Sequence, residues 1–221
     1  MQFKVENMSI RKLLLAGIVI SLMAISCTTI SYVPQINLDI SSKTILGSVQ
    51  IEKFVDNSDI GDRKNPFLGL SVTNEEALAN DLSVSVTNAI VSDFSNNAVF
   101  NRVSRRIESP DYTIKGEIKV FKGISRLTDY GTISFITIVG IYTWFLGMPI
   151  EKIETEIEIK LEIFDRNNML IGTYVGNAVG FRRTSMYRNI ALATPSQTNR
   201  DFSKAIEQIR EQIIKDEDRF N

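Results

Sequence analysis

Residues 152–164 read Lys-Ile-Glu-Thr-Glu-Ile-Glu-Ile-Lys-Leu-Glu-Ile-Phe, and this run constrains the fold more than any other part of the chain. Ile153, Ile157, Ile159, Leu161 and Ile163 fall on one side of a period of two. Lys152, Glu154, Glu156, Glu158, Lys160 and Glu162 fall on the other. Only a strand sorts side chains this way, so the segment is a half-buried strand with one wet face. Asp165-Arg166-Asn167-Asn168 makes a turn, and residues 169–181 return as the hairpin partner.

The rest of the pattern is read outward from this hairpin. Residues 111–124 alternate, with Tyr112, Ile114, Gly116, Ile118 and Val120 on one face and Lys115, Glu117 and Lys119 on the other. Residues 48–55 and 99–103 are shorter strands, and 56–73 form a long surface loop holding Gly61, Pro66 and Gly69. Leu78, Leu82, Val86, Ile90 and Phe94 recur at helical spacing, predicting a helix from Glu75 to about Ser95, capped by Thr73 or Asn74. A last helix is expected from Asn199 to about Asp218, opened by residues 195–198, with Phe202, Ala205, Ile206, Ile209 and Ile213 inward. The expected fold is therefore α/β in the α+β sense: a mixed sheet of about five strands with two amphipathic helices packed on it.

The start of the chain has a different character. Met-Ser-Ile-Arg-Lys at residues 8–12 is a short basic region, and residues 13–25 are apolar but too short for a comfortable membrane crossing of ~20 residues. The run ends in Ala24-Ile25-Ser26-Cys27, which resembles the lipobox of bacterial lipoprotein precursors, with Ala24 where leucine is usual. The resemblance implies cleavage before Cys27, with Ala24, Ile25 and Ser26 read by the signal peptidase. It also implies diacylglyceryl and further acyl chains, palmitate among them, on the Cys27 thiol. The competing reading is an uncleaved amino-terminal helix. Residues 28–46 carry Thr, Ser, Asn and Gln with Pro34 and no sustained period, so residues 27–46 are read as the lipidated cysteine and a flexible tether. That leaves residues 47–221 as a single domain.

Composition narrows the chemistry. The chain has no histidine and one cysteine, which the anchor uses. No Ser-His-Asp or Cys-His nucleophile, no Cys/His zinc site and no internal disulfide can be assembled, so no catalytic residue, metal or further cofactor is expected. The formal net charge of −1 argues against a nucleic-acid partner.

Two segments carry a family resemblance. Residues 49–57 (Val-Gln-Ile-Glu-Lys-Phe-Val-Asp-Asn) and 109–118 (Ser-Pro-Asp-Tyr-Thr-Ile-Lys-Gly-Glu-Ile) resemble envelope proteins related to the TolB amino-terminal domain and the curli secretion subunit. The likeness spans residues 48–180 apart from 131–147. It implies a domain that docks other envelope components rather than one that catalyses.

Residues 131–147 form an uncharged insert, Gly-Thr-Ile-Ser-Phe-Ile-Thr-Ile-Val-Gly-Ile-Tyr-Thr-Trp-Phe-Leu-Gly. It is read as a docked core element, a membrane-dipping element or a spanning helix. In the second case Phe135, Ile138, Ile141, Tyr142, Trp144 and Phe145 are the candidate membrane contacts, since aromatics gather at the interface. A spanning helix would put its two flanking strands in different compartments. The glutamates at 154, 156, 158 and 162 are read as a solvated sheet face. Arg182, Arg183 and Arg188 could meet anionic headgroups or a partner's carboxylates, although such a cluster is more often an exposed loop. The spacing of Gly172, Gly176 and Gly180 falls in a strand and is not a phosphate loop.

The expected function is that of a non-enzymatic, lipid-anchored accessory protein of the cell envelope, binding or assembling parts of a membrane machine. Thr28, where inner-membrane retention would place aspartate, favours the outer membrane, on its periplasmic face or surface. Envelope-protein partners and an oligomer fit this reading. The alternatives are an oligomeric secretion-pore subunit and a lipid-handling lipoprotein.

Overall fold

A seven-stranded mixed sheet with two helices on one face forms the body of the protein. The computed structural model describes residues 31–36, 45–67, 69–129, 131–132, 146–185 and 190–220. All belong to one compact unit, Ser31–Asn221.

The strands are β1 (Ile45–Ile51), β2 (Val55–Asp56), β3 (Gly69–Ser71), β4 (Phe100–Ser104), β5 (Tyr112–Leu127), β6 (Pro149–Asp165) and β7 (Leu170–Ser185). The main path runs β4-β1-β5-β6-β7, with β2 and β3 also pairing with β5. β1 is parallel to β4 and β5, whereas β5, β6 and β7 form a long antiparallel meander. The helices are α1 (Leu82–Asn96) and α2 (Ile190–Lys215).

The alternation in β6 holds from Glu151 to Ile163. Ile153, Ile157, Ile159, Leu161 and Ile163 are all fully buried beneath the helices. The opposite face is a charge ladder in register, Lys115↔Glu162, Glu117↔Lys160 and Lys122↔Glu156, so the glutamates of β6 lie on a solvated face beside cations of β5. The first half of β5 also keeps its period of two. A bulge between Ile118 and Val120 then moves Val120 off the inner face and turns Phe121 inward, edge-on to Phe202 of α2 at 5.5 Å.

Several boundaries differ from the sequence expectation. The first strand begins at Ile45 and is broken between Ile51 and Val55, and β3 supplies a strand inside the expected loop. Helix α1 starts at Leu82, not Glu75, because Asp81 provides the cap by accepting from the Val84 N–H. The preceding Ala77–Leu78 backbone is occupied otherwise, bridging to Tyr32. Helix α2 begins well before Asn199 and contains Pro195, which has no N–H to donate to the preceding turn. The inward faces of both helices are as expected: Leu82, Val86, Ile90 and Phe94, and Phe202, Ala205, Ile206, Ile209 and Ile213, are all buried.

The motif at residues 111–116 is structural. Asp111 accepts from the Ser48 N–H and hydroxyl of β1, at 2.7 and 2.8 Å, and pairs with Arg166 of the β6–β7 turn. These bonds hold its carboxyl below the usual carboxylate range, with the Ser48 backbone bond the largest cause. Tyr112 packs edge-on to Phe220 at 5.3 Å, and a side chain at Gly116 would collide with the Phe54 ring. Gly176 and Gly180 serve helix packing in the same way. A Cβ at these positions would run into the Ala205 carbonyl and the Asp201 carboxylate of α2.

Candidate functional site

Three features lie toward the end of the sheet where β5 stops and β6 starts. The first is the root of the apolar insert. Leu127 and Glu151 are the last paired residues of β5 and β6, so the insert leaves and returns through neighbouring strands. Thr128 clasps the root: its N–H donates to the Ile150 carbonyl at 2.9 Å and its hydroxyl to the Pro149 carbonyl at 2.8 Å. The same hydroxyl accepts from the Gly131 N–H at 3.0 Å, and the Thr132 N–H donates to the Thr128 carbonyl at 2.8 Å, which starts a helical turn. Because both roots sit in one antiparallel ladder, the insert cannot cross a membrane once and leave β5 and β6 on opposite sides. Leu146 emerges on the return side with 73% of its surface exposed. Phe135, Ile138, Ile141, Tyr142, Trp144 and Phe145 lie outside the described residues.

The second feature is a docked stretch of the expected tether. Tyr32 is buried, its hydroxyl donates to Asn199 Oδ1 on α2 at 2.8 Å, and its backbone bridges Ala77 and Ala79 at 2.7 and 3.0 Å. The Gln35 N–H reaches the same Asn199 oxygen at 3.0 Å. Burial raises the Tyr32 pKa, so the phenol stays a neutral donor. Residues 31–36 are therefore fixed to the domain, which corrects the reading of 28–46 as a wholly flexible tether. The cause is tertiary, since an aromatic in a polar stretch has found a pocket between Leu78 and α2. Ala24, Ile25, Ser26 and Cys27 lie outside the described residues.

The third feature is a buried polar seam between the sheet and α2. Asp201 is fully buried and accepts from Thr155 Oγ1 at 2.5 Å, Gln197 Nε2 at 2.7 Å and Lys204 Nζ at 3.0 Å. Burial pushes its pKa up, but the donors together outweigh burial and hold it below the ordinary value. Glu151, at the insert root, has the opposite balance. Burial raises its pKa against the hydroxyls of Ser125 and Thr184, and one of its oxygens lacks a hydrogen-bond partner.

A carboxyl whose folded-state pKa is raised favours folding below its unfolded pKa and loses that contribution as pH rises through the folded value. Glu151→Gln should therefore gain stability over the parent as pH rises from 4 to 7, by about 1 kcal/mol at neutral pH. Urea denaturation at both pH values checks this. A difference independent of pH would contradict it.

The described residues contain no group of three or more metal-ligating side chains, and no described helix is long and apolar enough to cross a membrane. Clefts of about 280 and 200 Å³ around Arg63 are walled largely by charged and amide side chains. Arg182 and Arg183 lie in β7 and not in a loop, because β7 continues to Ser185 to pair with the start of β6. Arg188 lies outside the described residues.

No protein-family model matches the chain. No curated protein matches it either. Among solved structures it is similar to a Xanthomonas campestris protein of the DUF330 family, with 12% identity, a TM-score of 0.50, and coverage of 82% of this chain and 95% of that one. A candidate lipoprotein from Caulobacter crescentus matches with 10% identity and a TM-score of 0.34 over 59% of this chain and 81% of that one. The PelC dodecamer from Paraburkholderia phytofirmans matches with 11% identity and a TM-score of 0.32 over 76% and 92%. The first likeness is one of fold: a mixed sheet covered by helices.

Proposed function

We propose that the protein is a lipid-anchored, non-enzymatic module of the bacterial cell envelope, held by acyl chains on Cys27 with the insert end of its sheet toward the membrane. The observation that carries this is the docking of Tyr32. It lies only five residues beyond Cys27 in the sequence, and five extended residues span at most ~18 Å. An anchor at Cys27 thus keeps Asn199, and the end of the domain around it, close to the bilayer. Thr155, joined to Asp201 beside that dock, lies on β6 about 13 Å from Glu151 at the insert root, taking ~3.3 Å per residue. The same end carries an uncharged insert, which gives the domain a second grip on the membrane.

A binding or assembly role follows from what this leaves free. The far end, with the part of the charged sheet face distant from the insert root, projects away from the lipid, available to other envelope proteins as in the TolB amino-terminal and curli-subunit group that the sequence resembles. The absence of histidine and the use of the single cysteine by the anchor support a role without catalysis.

Trp144 is the only tryptophan and sits in the insert, so its fluorescence tests the orientation. In vesicles holding the acylated protein, phospholipids brominated on their acyl chains should quench Trp144. Emission equal to that in unbrominated vesicles would contradict an insert end facing the membrane.

A further inference from the structure

On the open face of the sheet, the rung next to the insert root breaks the charge pattern of the others. Arg126 of β5 pairs in register with Lys152 of β6, which pairs with Arg183 of β7. Three cations thus lie side by side on adjacent strands, an arrangement that costs stability unless something answers it. Farther along β5 and β6 the rungs are complementary, Lys122 facing Glu156, Glu117 facing Lys160 and Lys115 facing Glu162. Arg126 and Arg183 are exposed, and Lys152 retains 40% of its side-chain exposure. Glu154 is ion-paired with Lys152 at 2.5 Å and also faces Arg126, so it answers part of this charge and leaves the row with a net excess of cations. Glu151 points to the buried side. Phe181, 56% exposed, holds the cations in place, with Lys152 Nζ 5.4 Å and the Arg183 guanidinium 5.7 Å from its ring centre.

We infer that this row is a binding surface for the phosphates of anionic phospholipid headgroups in the membrane that holds the protein. The choice of lipid over a protein partner rests on the proposed orientation: the row lies on the rim beside the insert, at the end to which the anchor is tied. Lys152 is three residues from Thr155 along β6, or about 10 Å, and Thr155 is bonded to Asp201 next to the Tyr32 dock. Cations with an exposed aromatic at a domain rim match the chemistry of a headgroup layer.

The test uses a chain starting at residue 28, because the unit Ser31–Asn221 contains the described core. It is sedimented with vesicles of phosphatidylcholine alone or mixed with phosphatidylglycerol. The parent chain should bind the mixed vesicles more tightly, and lose that preference as salt rises. Arg126→Gln/Lys152→Gln/Arg183→Gln should weaken binding to the mixed vesicles at least tenfold, each cation near the surface contributing about fivefold before Glu154 is discounted. Arg126→Lys/Arg183→Lys keeps the charge and should bind like the parent, which protects the test if the triple variant folds poorly. Equal binding to both vesicles, an unchanged well-folded triple variant, or a lysine variant as weak as the triple one would overturn the inference. So would failure to bind either vesicle, which would point to an acidic protein surface instead. Because this chain lacks Cys27, the outcome is independent of acylation, whose failure would appear separately in the mass of the mature protein.

Discussion

Replacing Arg210 with alanine should lower the unfolding free energy by about 3–5 kcal/mol. Arg210 on α2 reaches Asp93 on α1 through Nη1, 3.0 and 3.1 Å from the two carboxylate oxygens. Asp93 is fully buried and the Arg210 side chain is 8% exposed, so water screens the pair little. Asn97 Nδ2 also donates to Asp93 Oδ1, at 3.0 Å. Removing the arginine takes the counter-charge from a carboxylate buried in the layer between the helices. Replacing both partners with apolar residues, Asp93→Leu/Arg210→Met, should recover most of the loss, since the cost lies in leaving one charge unmatched. Urea denaturation measures both variants. A loss below about 1 kcal/mol for the alanine variant would mean that the pair is solvated.

The sequence made the meander legible and left its ends obscure, for physical reasons. The period of two in β6 survives from Ile153 to Ile163 because one face is buried there, so each inward residue is apolar or small. The inward faces of α1 and α2 were readable on the same ground. The helix starts were not. Asp81 competes with Thr73 and Asn74 as a cap, and only the bridge from Tyr32 to Leu78 removes the earlier choices. For α2, Pro195 reads as a start signal, but the helix runs through it.

The candidate site was harder still to read, because it is built from distant parts of the chain. Tyr32 meets an asparagine 167 residues away, and nothing in the polar stretch around it shows that partner. Arg126, Lys152 and Arg183 become neighbours only through the register of three strands. A bulge in β5 lies between the first half of the strand and Arg126, so alternation read from Tyr112 onward would put that side chain on the wrong face. Gly176 and Gly180 are legible as strand residues, but their need to be glycine comes from the approach of α2.

The other large effect concerns attachment. Cys27→Ser removes the only thiol, and with it the acceptor that the proposed lipid anchor requires. Two or three acyl chains hold a protein firmly where one does not, at about 0.8 kcal/mol per buried methylene. The serine variant should therefore lose stable membrane retention, keeping only the weak hold of the insert and the cation row. Unprocessed chains keep the apolar residues 13–25, so membrane fractions must be compared by the length of the chain they contain. The most direct measurement is the gas-phase mass of the protein extracted from membranes. Lipidation at Cys27 predicts a chain beginning at that residue and carrying the added mass of a diacylglyceryl group, with or without a further acyl chain. A chain that retains residues 1–26, or one cut there without added lipid, would contradict it.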